Sequence, residues 1–267
     1  MRQGYSGQHG REELPTDPLW APVGVDPMKC KLCGQEAELR DSHVIPEFLY
    51  EPLYDKKHRY HVVSNVHGKS RRPEQKGLRE RMLCAACETR LSGWETYAAN
   101  ALYHRKKPGS ERPGDEIRME GLDYAKFKLF GLSLLWRAAV SSLPVFRETE
   151  LGPHESKIRA MLVSGDPGPQ DKYGCLVFAV TLQGRPLDGA IYGPQPCRIG
   201  SHHAYRLLVR SILFVYLVSS HRPDDHARNY FLTEQGRLII PVKELQDIPF
   251  LDSLCREIAK ATRNQGI

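Results

Sequence analysis

Two CxxC pairs, Cys30 with Cys33 and Cys84 with Cys87, stand in this chain with residues 34–83, 50 residues, between them. No other feature limits the fold as much. A CxxC turn presents two thiolates on one side of an ion, and two such turns close the tetrahedral site of a structural zinc. Zinc is therefore an expected cofactor, with Cys30, Cys33, Cys84 and Cys87 as its ligands. The segment between the pairs must then leave one point and return to it. Cys175, Cys197 and Cys255 lie in apolar surroundings and read as small packed hydrophobes.

Paired CxxC motifs mean ligation rather than disulfides where thiols stay reduced. The first residues lack the apolar run of a secretory leader. The longest strongly apolar stretch, Ser211 to Ser219, is far shorter than the ~20 residues of a membrane-spanning helix. A cytoplasmic location with no membrane partner is expected. Hydrophobic residues make up 40% of the 267, enough to build a core. The net charge of +6 permits a polyanionic partner but does not demand one.

The chain divides into a Gly- and Pro-containing flexible extension over 1–27, a zinc-binding unit over 28–118 and a larger domain over 119–267. A short strand is expected before Pro46. A helix follows the second CxxC, with Leu91, Trp94, Tyr97 and Ala98 on one face. Further helices are expected over 124–142, with Phe127, Phe130, Leu134 and Leu135 as the apolar stripe, over 154–163, and over 249–261. Strand-like runs begin at Cys175, Ala204, Ile212, Asn229 and Arg237, with a turn at 234–236 between the last two. The fold class is α+β. The long strands from Arg206 to Ser220 offer a surface for a homodimer through the C-terminal domain.

Between the CxxC pairs lies Ser42-His43-Val44-Ile45-Pro46. A CxxC, then this segment, then a CxxC opening a helix resembles the HNH-type endonucleases, and the resemblance covers about residues 30–103. It implies a treble-clef-like ββα-metal core and metal-dependent hydrolysis of phosphodiester bonds in nucleic acid, with DNA the expected partner. It implies His43 as the general base. It also implies a divalent ion, Mg²⁺ or Mn²⁺, held by the acid before that histidine and by a residue on the helix. Ser42 stands where the acid is usual, and Asp41 is one residue further away, on the opposite face of a strand. Glu88 stands at the helix position, where a carboxylate is a hard oxygen ligand. The family's middle Asn has no clear match, and Asn65 offers residue type alone.

The chemistry suits these residue types. A histidine with a pKa near 6.5 can activate a nucleophile, and one divalent ion can stabilise the leaving oxygen. The stretch from Lys56 to Arg81 carries nine Lys or Arg against two acids. Lys56, Lys57, Arg59, Lys69, Arg71 and Arg72 are the expected phosphate contacts. Tyr54, Tyr60 and Trp94 are candidates for base stacking. The segment from Asp55 to His58 is a candidate for a second catalytic group. His202 with His203, and His221, Asp224, Asp225 and His226, are lesser metal candidates. Glu148, Glu150, His154, Glu155 and Arg159 suggest an ion-pair face. Two other functions fit the same residues: a non-catalytic zinc-binding nucleic-acid module, or a zinc-stapled regulatory protein whose second unit does the work.

Overall fold

The computed structural model describes residues 28–61, 73–104 and 112–263. Its N-terminal unit begins with the ribbon β1 (Met28–Lys29) and β2 (Glu36–Ala37), wrapped around the first CxxC. β3 (Leu39–His43) follows. A small ribbon of β4 (Tyr60–His61) and β5 (Pro73–Glu74) comes next, then β6 (Arg79–Cys84), which pairs antiparallel with β3. β6 runs directly into α1 (Ala85–Ala99), so the second CxxC spans the strand end and the first helical turn. The expected ββα arrangement is thus present around the four cysteines.

The β3–β6 register slips between Arg40 and Asp41, a β-bulge. The bulge lets Met82 and Leu83, adjacent in sequence, both turn inward and reach 0% exposure. It also places the Ser42 hydroxyl to accept the Leu83 N–H at 3.2 Å. The amphipathic stripe of α1 buries Cys87, Leu91, Trp94 and Ala98.

The larger sheet begins with β7 (Glu116–Met119), which straddles the expected boundary at 118/119. Then come α2 (Tyr124–Val140), α3 (His154–Ser164), β8 (Cys175–Leu182), β9 (Arg185–Pro186), β10 (Ile191–Ile199), β11 (His202–Val209), β12 (Ile212–Leu217), the short α4 (Asp225–Arg228), β13 (Leu238–Glu244) and α5 (Pro249–Arg263). The strand order is β10-β11-β12-β8-β13-β7, with β9 beside β8. Among the described residues only β8 and β13 run parallel; the other pairs are antiparallel. The molecule is α+β.

The sheet is covered on both faces, and side-chain alternation decides which residue goes where. Ile212, Phe214 and Tyr216 pack toward α2 in the main core, whereas Leu213 and Val215 join Val180, Leu208 and Leu251 beneath the start of α5. That double burial is why β12 reads as a continuous apolar run. β11 and β12 form a hairpin inside the sheet, so their edges are already taken within the chain. The run 229–233 is not a strand; it follows α4 irregularly to the turn at 234–236. There Gly236 has φ 76, and a Cβ on it would lie 2.2 Å from the Leu122 carbonyl oxygen.

α2 is buried without interruption from Phe127 to Ala138, not along one stripe only. The sheet lies on one side of it: a Cβ on Gly131 would lie 3.5 Å from the Tyr216 ring. α1 and the zinc-binding unit lie on the other, so both units share one hydrophobic core. Polar ties reinforce this seam. Arg137 on α2 is 1% exposed, and its Nη1 donates to Glu95 Oε1 on α1 at 2.8 Å and to the His43 carbonyl oxygen on β3 at 2.9 Å. Glu80 on β6 accepts from Lys31 Nζ, Ser141 Oγ and the Ser142 N–H beyond the end of α2.

Arg137→Met keeps the apolar stem but strands the Glu95 carboxylate and the His43 carbonyl. We expect it to lower the unfolding free energy by about 2–3 kcal/mol, below the cost in a fully enclosed pair because Glu95 retains some solvent. Urea denaturation with the metal kept bound measures this.

Candidate functional site

The first CxxC is held by backbone geometry. Gly34, at φ 77, donates its N–H to the Cys30 carbonyl oxygen at 2.8 Å, and the Cys30 N–H donates to Gln35 at 2.9 Å. The Lys31 N–H donates to the Met82 carbonyl oxygen on β6 at 2.9 Å, which brings the first turn to the second pair. Arg159 from α3 closes the outside, its Nε donating to the carbonyl oxygens of Lys31 and Leu32. All four sulfur atoms lie within 4.8 Å of one another.

This donor set fits a tetrahedral metal ion such as zinc. Zn–S bonds of ~2.3 Å put ligand sulfurs ~3.8 Å apart, and Cys33 Sγ and Cys84 Sγ are 3.8 Å apart. Burial opposes ionisation of Cys30, but backbone N–H groups of Cys33, Cys84 and Leu32 outweigh it and bring the thiol down to about 7. Burial pushes the Cys33 and Cys87 thiols up. Four thiolates so close need a cation to coexist, and with four protein ligands the ion keeps no position for substrate. Among the described residues these cysteines are the only group of three or more His, Cys, Asp or Glu side chains gathered this closely. His202, His203 and the residues around 224 are not part of such a group; Asp224 caps α4 instead.

A second constellation lies at the far end of β3. His43 ends the strand, and Pro46 turns the chain into a 3₁₀ turn over Glu47–Leu49. That turn swings Glu47 back over the histidine, so His43 Nε2 and Glu47 Oε2 are 2.6 Å apart. An ionised carboxylate only accepts, so Nε2 carries the proton and Nδ1 is the basic nitrogen of the neutral ring. The other oxygen, Glu47 Oε1, accepts from the Tyr54 hydroxyl at 2.7 Å and has His58 Nε2 at 3.7 Å. Arg79 on β6 stands 3.8 Å from Glu47 and 3.5 Å from Asp41. Gly77 is needed beside the ring: at φ 59, its Cβ would meet Tyr50 at 2.9 Å and His43 at 3.2 Å.

Electrostatics keep His43 neutral. Burial lowers its pKa below the usual 6.5, Arg79 lowers it further, and Glu47 and Glu95 offset only part of this. Burial would raise the Glu47 pKa, but hydrogen bonds from Tyr54 and His43 outweigh it and hold the carboxyl below its ordinary value. The result is an ionised carboxylate beside a neutral imidazole, with 36% of the Glu47 side chain and 20% of the His43 side chain exposed.

The structure separates the expected site residues into groups. Ser42 is buried and serves the bulge, so it adds nothing to the site. Asp41 reaches the site only through Arg79. Glu88 lies in the first turn of α1, its Oε1 buried with no hydrogen-bond partner among the described residues. It is two helical turns from Glu95, the α1 residue that shares Arg137 with His43, and no hydrogen bond or ion pair joins it to His43. Lys56 and Lys57 are exposed beside the site, but Arg59 is engaged by Asp55 at 2.7 Å. Arg59 also brings the Asp55 carboxyl down to about 2. Lys69, Arg71, Arg72 and Asn65 fall outside the described residues. Tyr60 and Trp94 are core residues and offer no face to a base. Tyr54 stacks on His58, with centroids 3.8 Å apart.

The segment from Asp55 to His58 lies beside Glu47, with His58 Nε2 3.7 Å from its Oε1. The Asp55 carboxylate accepts the N–H groups of Lys57 and Arg59 and fixes a tight turn. The turn holds His58 at φ 56, a left-handed conformation costing about 1–2 kcal/mol in a residue with a Cβ. Among the described residues no ion pair joins Glu148, Glu150, His154, Glu155 and Arg159: Glu155 accepts from Trp136 Nε1, His154 meets the Tyr173 hydroxyl, and Arg159 binds the first CxxC turn. Glu47 and Arg137 were missed by sequence reasoning. Their signals were a carboxylate four residues after the histidine across a proline, and a lone arginine in an apolar helix.

Cys87→Ser should reduce bound metal from one equivalent to none and remove much of the ~10 kcal/mol that such a site supplies. Metal content and thermal unfolding check both parts. A second expectation concerns acid. With a lowered folded-state pKa, His43 binds fewer protons than in the unfolded chain, so stability falls as pH drops below 6.5. Glu47, also lowered, loses its contribution as pH falls below 4.5 and through its folded value. In His43→Gln, unfolding free energy should therefore depend less on pH between 6.5 and 5; an unchanged slope would reject the assignment.

Comparison with known proteins returned no matching family model, no matching curated protein and no matching solved structure.

Proposed function

We propose that the chain is an HNH-like endonuclease, a metal-stapled phosphodiesterase acting on nucleic acid with His43 as its general base. The observation that carries this reading is the His43–Glu47 pair at the open end of β3. A base must be unprotonated near neutral pH and hold its lone pair toward the substrate. Burial and Arg79 supply the first condition, and the Glu47 carboxylate supplies the second by fixing the proton on Nε2. Glu47 thus takes over the orienting role for which the sequence offers no clear asparagine. Arg79 and the exposed Lys56 and Lys57 provide positive charge for neighbouring phosphates. The four cysteines act at a distance, fixing β3 against β6 and α1.

A second reading, a nucleic-acid module that binds without cutting, draws support from Ser42 and Glu88. Neither supplies a metal-binding oxygen in contact with His43. The resemblance implies Mg²⁺ or Mn²⁺, so the deciding experiment has arms with and without each ion. Plasmid DNA and single-stranded RNA are incubated with the wild-type protein and with His43→Ala. Cleavage by wild type that falls at least ~100-fold in the variant supports the base assignment. Equal cleavage removes His43 from the mechanism, and salt-sensitive binding with no cleavage in any arm establishes the second reading.

A further inference from the structure

We propose that His58 is the general acid that partners His43, and that the site cleaves RNA by internal transesterification. This rests on the phosphodiesterase reading of the His43 site and adds to it a second catalytic group and a substrate class.

The geometry is that of two imidazoles served by one carboxylate. His43 Nε2 meets Glu47 Oε2 at 2.6 Å, and His58 Nε2 lies 3.7 Å from Glu47 Oε1. The two rings come from different elements, one ending β3 and one at the tip of a turn, and they stand on either side of the same acid. His58 is placed there deliberately by its surroundings. Asp55 accepts two backbone N–H groups and fixes the turn, and Tyr54 supports the imidazole face to face at 3.8 Å. The Tyr54 hydroxyl is itself tied to Glu47 Oε1. A turn that only had to reverse the chain would not need a histidine in the left-handed conformation, stacked and directed at the carboxylate beside His43. His58 stays largely exposed, so its remaining nitrogen is accessible to a substrate.

An acid and a base flanking one carboxylate suit RNA for a chemical reason. Water is a weak nucleophile toward a phosphodiester, but the ribose 2′-hydroxyl is already held beside the phosphorus, and such internal attack gains a large proximity advantage. His43 Nδ1 takes the proton from the 2′-hydroxyl. The 2′-oxygen forms its bond to phosphorus as the bond from phosphorus to the 5′-oxygen breaks. Protonated His58 gives its proton to the departing 5′-oxygen. The products are a 2′,3′-cyclic phosphate and a free 5′-hydroxyl, and one proton has passed from the substrate to His43 and one from His58 to the leaving group. Arg79, on the same side of Glu47, is placed to neutralise the phosphoryl oxygens. Proton transfer and charge are thereby provided by side chains already gathered at this point.

The test uses the full-length protein with its cysteine-bound metal verified by elemental analysis, in buffer stripped of free divalent ions over a chelating resin. The substrates are a mixed-sequence single-stranded RNA oligonucleotide, its all-2′-deoxy counterpart, and uridine 3′-(4-nitrophenyl phosphate), whose leaving group departs without a proton. We expect cleavage of the RNA to cyclic phosphate ends and none of the deoxy strand. His58→Asn, chosen because asparagine tolerates the left-handed conformation, should lose at least ~100-fold on RNA but about threefold or less on the nitrophenyl ester. His43→Asn should lose activity on both. Equal loss on both substrates in His58→Asn, or no loss on RNA, overturns the role of His58. Cleavage that requires added Mg²⁺ or Mn²⁺ and leaves 5′-phosphate ends overturns this inference but retains the nuclease reading. No cleavage of DNA or RNA with or without those ions overturns both.

Discussion

Convergence of four sulfur atoms on one point is the constraint from which the N-terminal unit follows. Two segments far apart in sequence are brought within 4.8 Å at their thiols. That closure sets β3 beside β6 and starts α1 at the second pair. Without a cation the same closure would be opposed, because burial raises the Cys33 and Cys87 thiols even though backbone N–H groups bring Cys30 down. The metal therefore decides not only how stable this unit is but whether its strands have a reason to meet. The candidate site it positions lies at the opposite end of β3, so the cysteine cluster and the His43–Glu47 pair are separated along one strand.

The second dependence is on α2. A helix buried from Phe127 to Ala138 has no solvent face on which to place a charge, yet Arg137 sits near its end. The guanidinium is tolerated because Glu95 balances it and the His43 carbonyl takes another hydrogen bond. One buried cation thus links α2, α1 and the residue that ends β3. The backbone of the candidate base is held by a helix of the larger unit. Two units drawn from the sequence as neighbours are, physically, one core with a polar rivet at the histidine.

Sequence patterning carried the elements whose causes are local. The CxxC pairs, the stripe on α1 and the helices near 124, 154 and 249 all announce themselves by spacing or periodicity. β10 did not, because Pro194 and Pro196 argue against a strand. The sheet accepts them only because β10 is an edge strand, where a missing donor costs little. Asn229 to Thr233 erred in the other direction: aromatic and β-favouring residues there pack irregularly after α4, with Phe231 buried. At the candidate site His43 was legible from its motif. Glu47 was not, since the relation between the two depends on how Pro46 turns the chain. His58 fell within the Asp55–His58 segment read as a candidate for a second catalytic group, but its approach to Glu47 depends on a turn conformation that no periodicity reports.

Burial explains why the carboxylate beside His43 stands at position 47 and not at 42. A carboxylate immediately before His43 would sit at position 42. Here that position faces the core and its hydroxyl closes the bulge. An ionised group there would be buried with a single backbone N–H as partner, a poor exchange for the energy of desolvation. Four residues later, beyond Pro46, the chain has left the sheet and a side chain can return over the imidazole from the solvent side. Glu47 does so with its charge intact, satisfied by Tyr54 and His43 and flanked by Arg79. At position 47 the carboxyl stays ionised, held below its ordinary range by its hydrogen bonds. Its second oxygen, which accepts from the Tyr54 hydroxyl, faces His58 Nε2 at 3.7 Å.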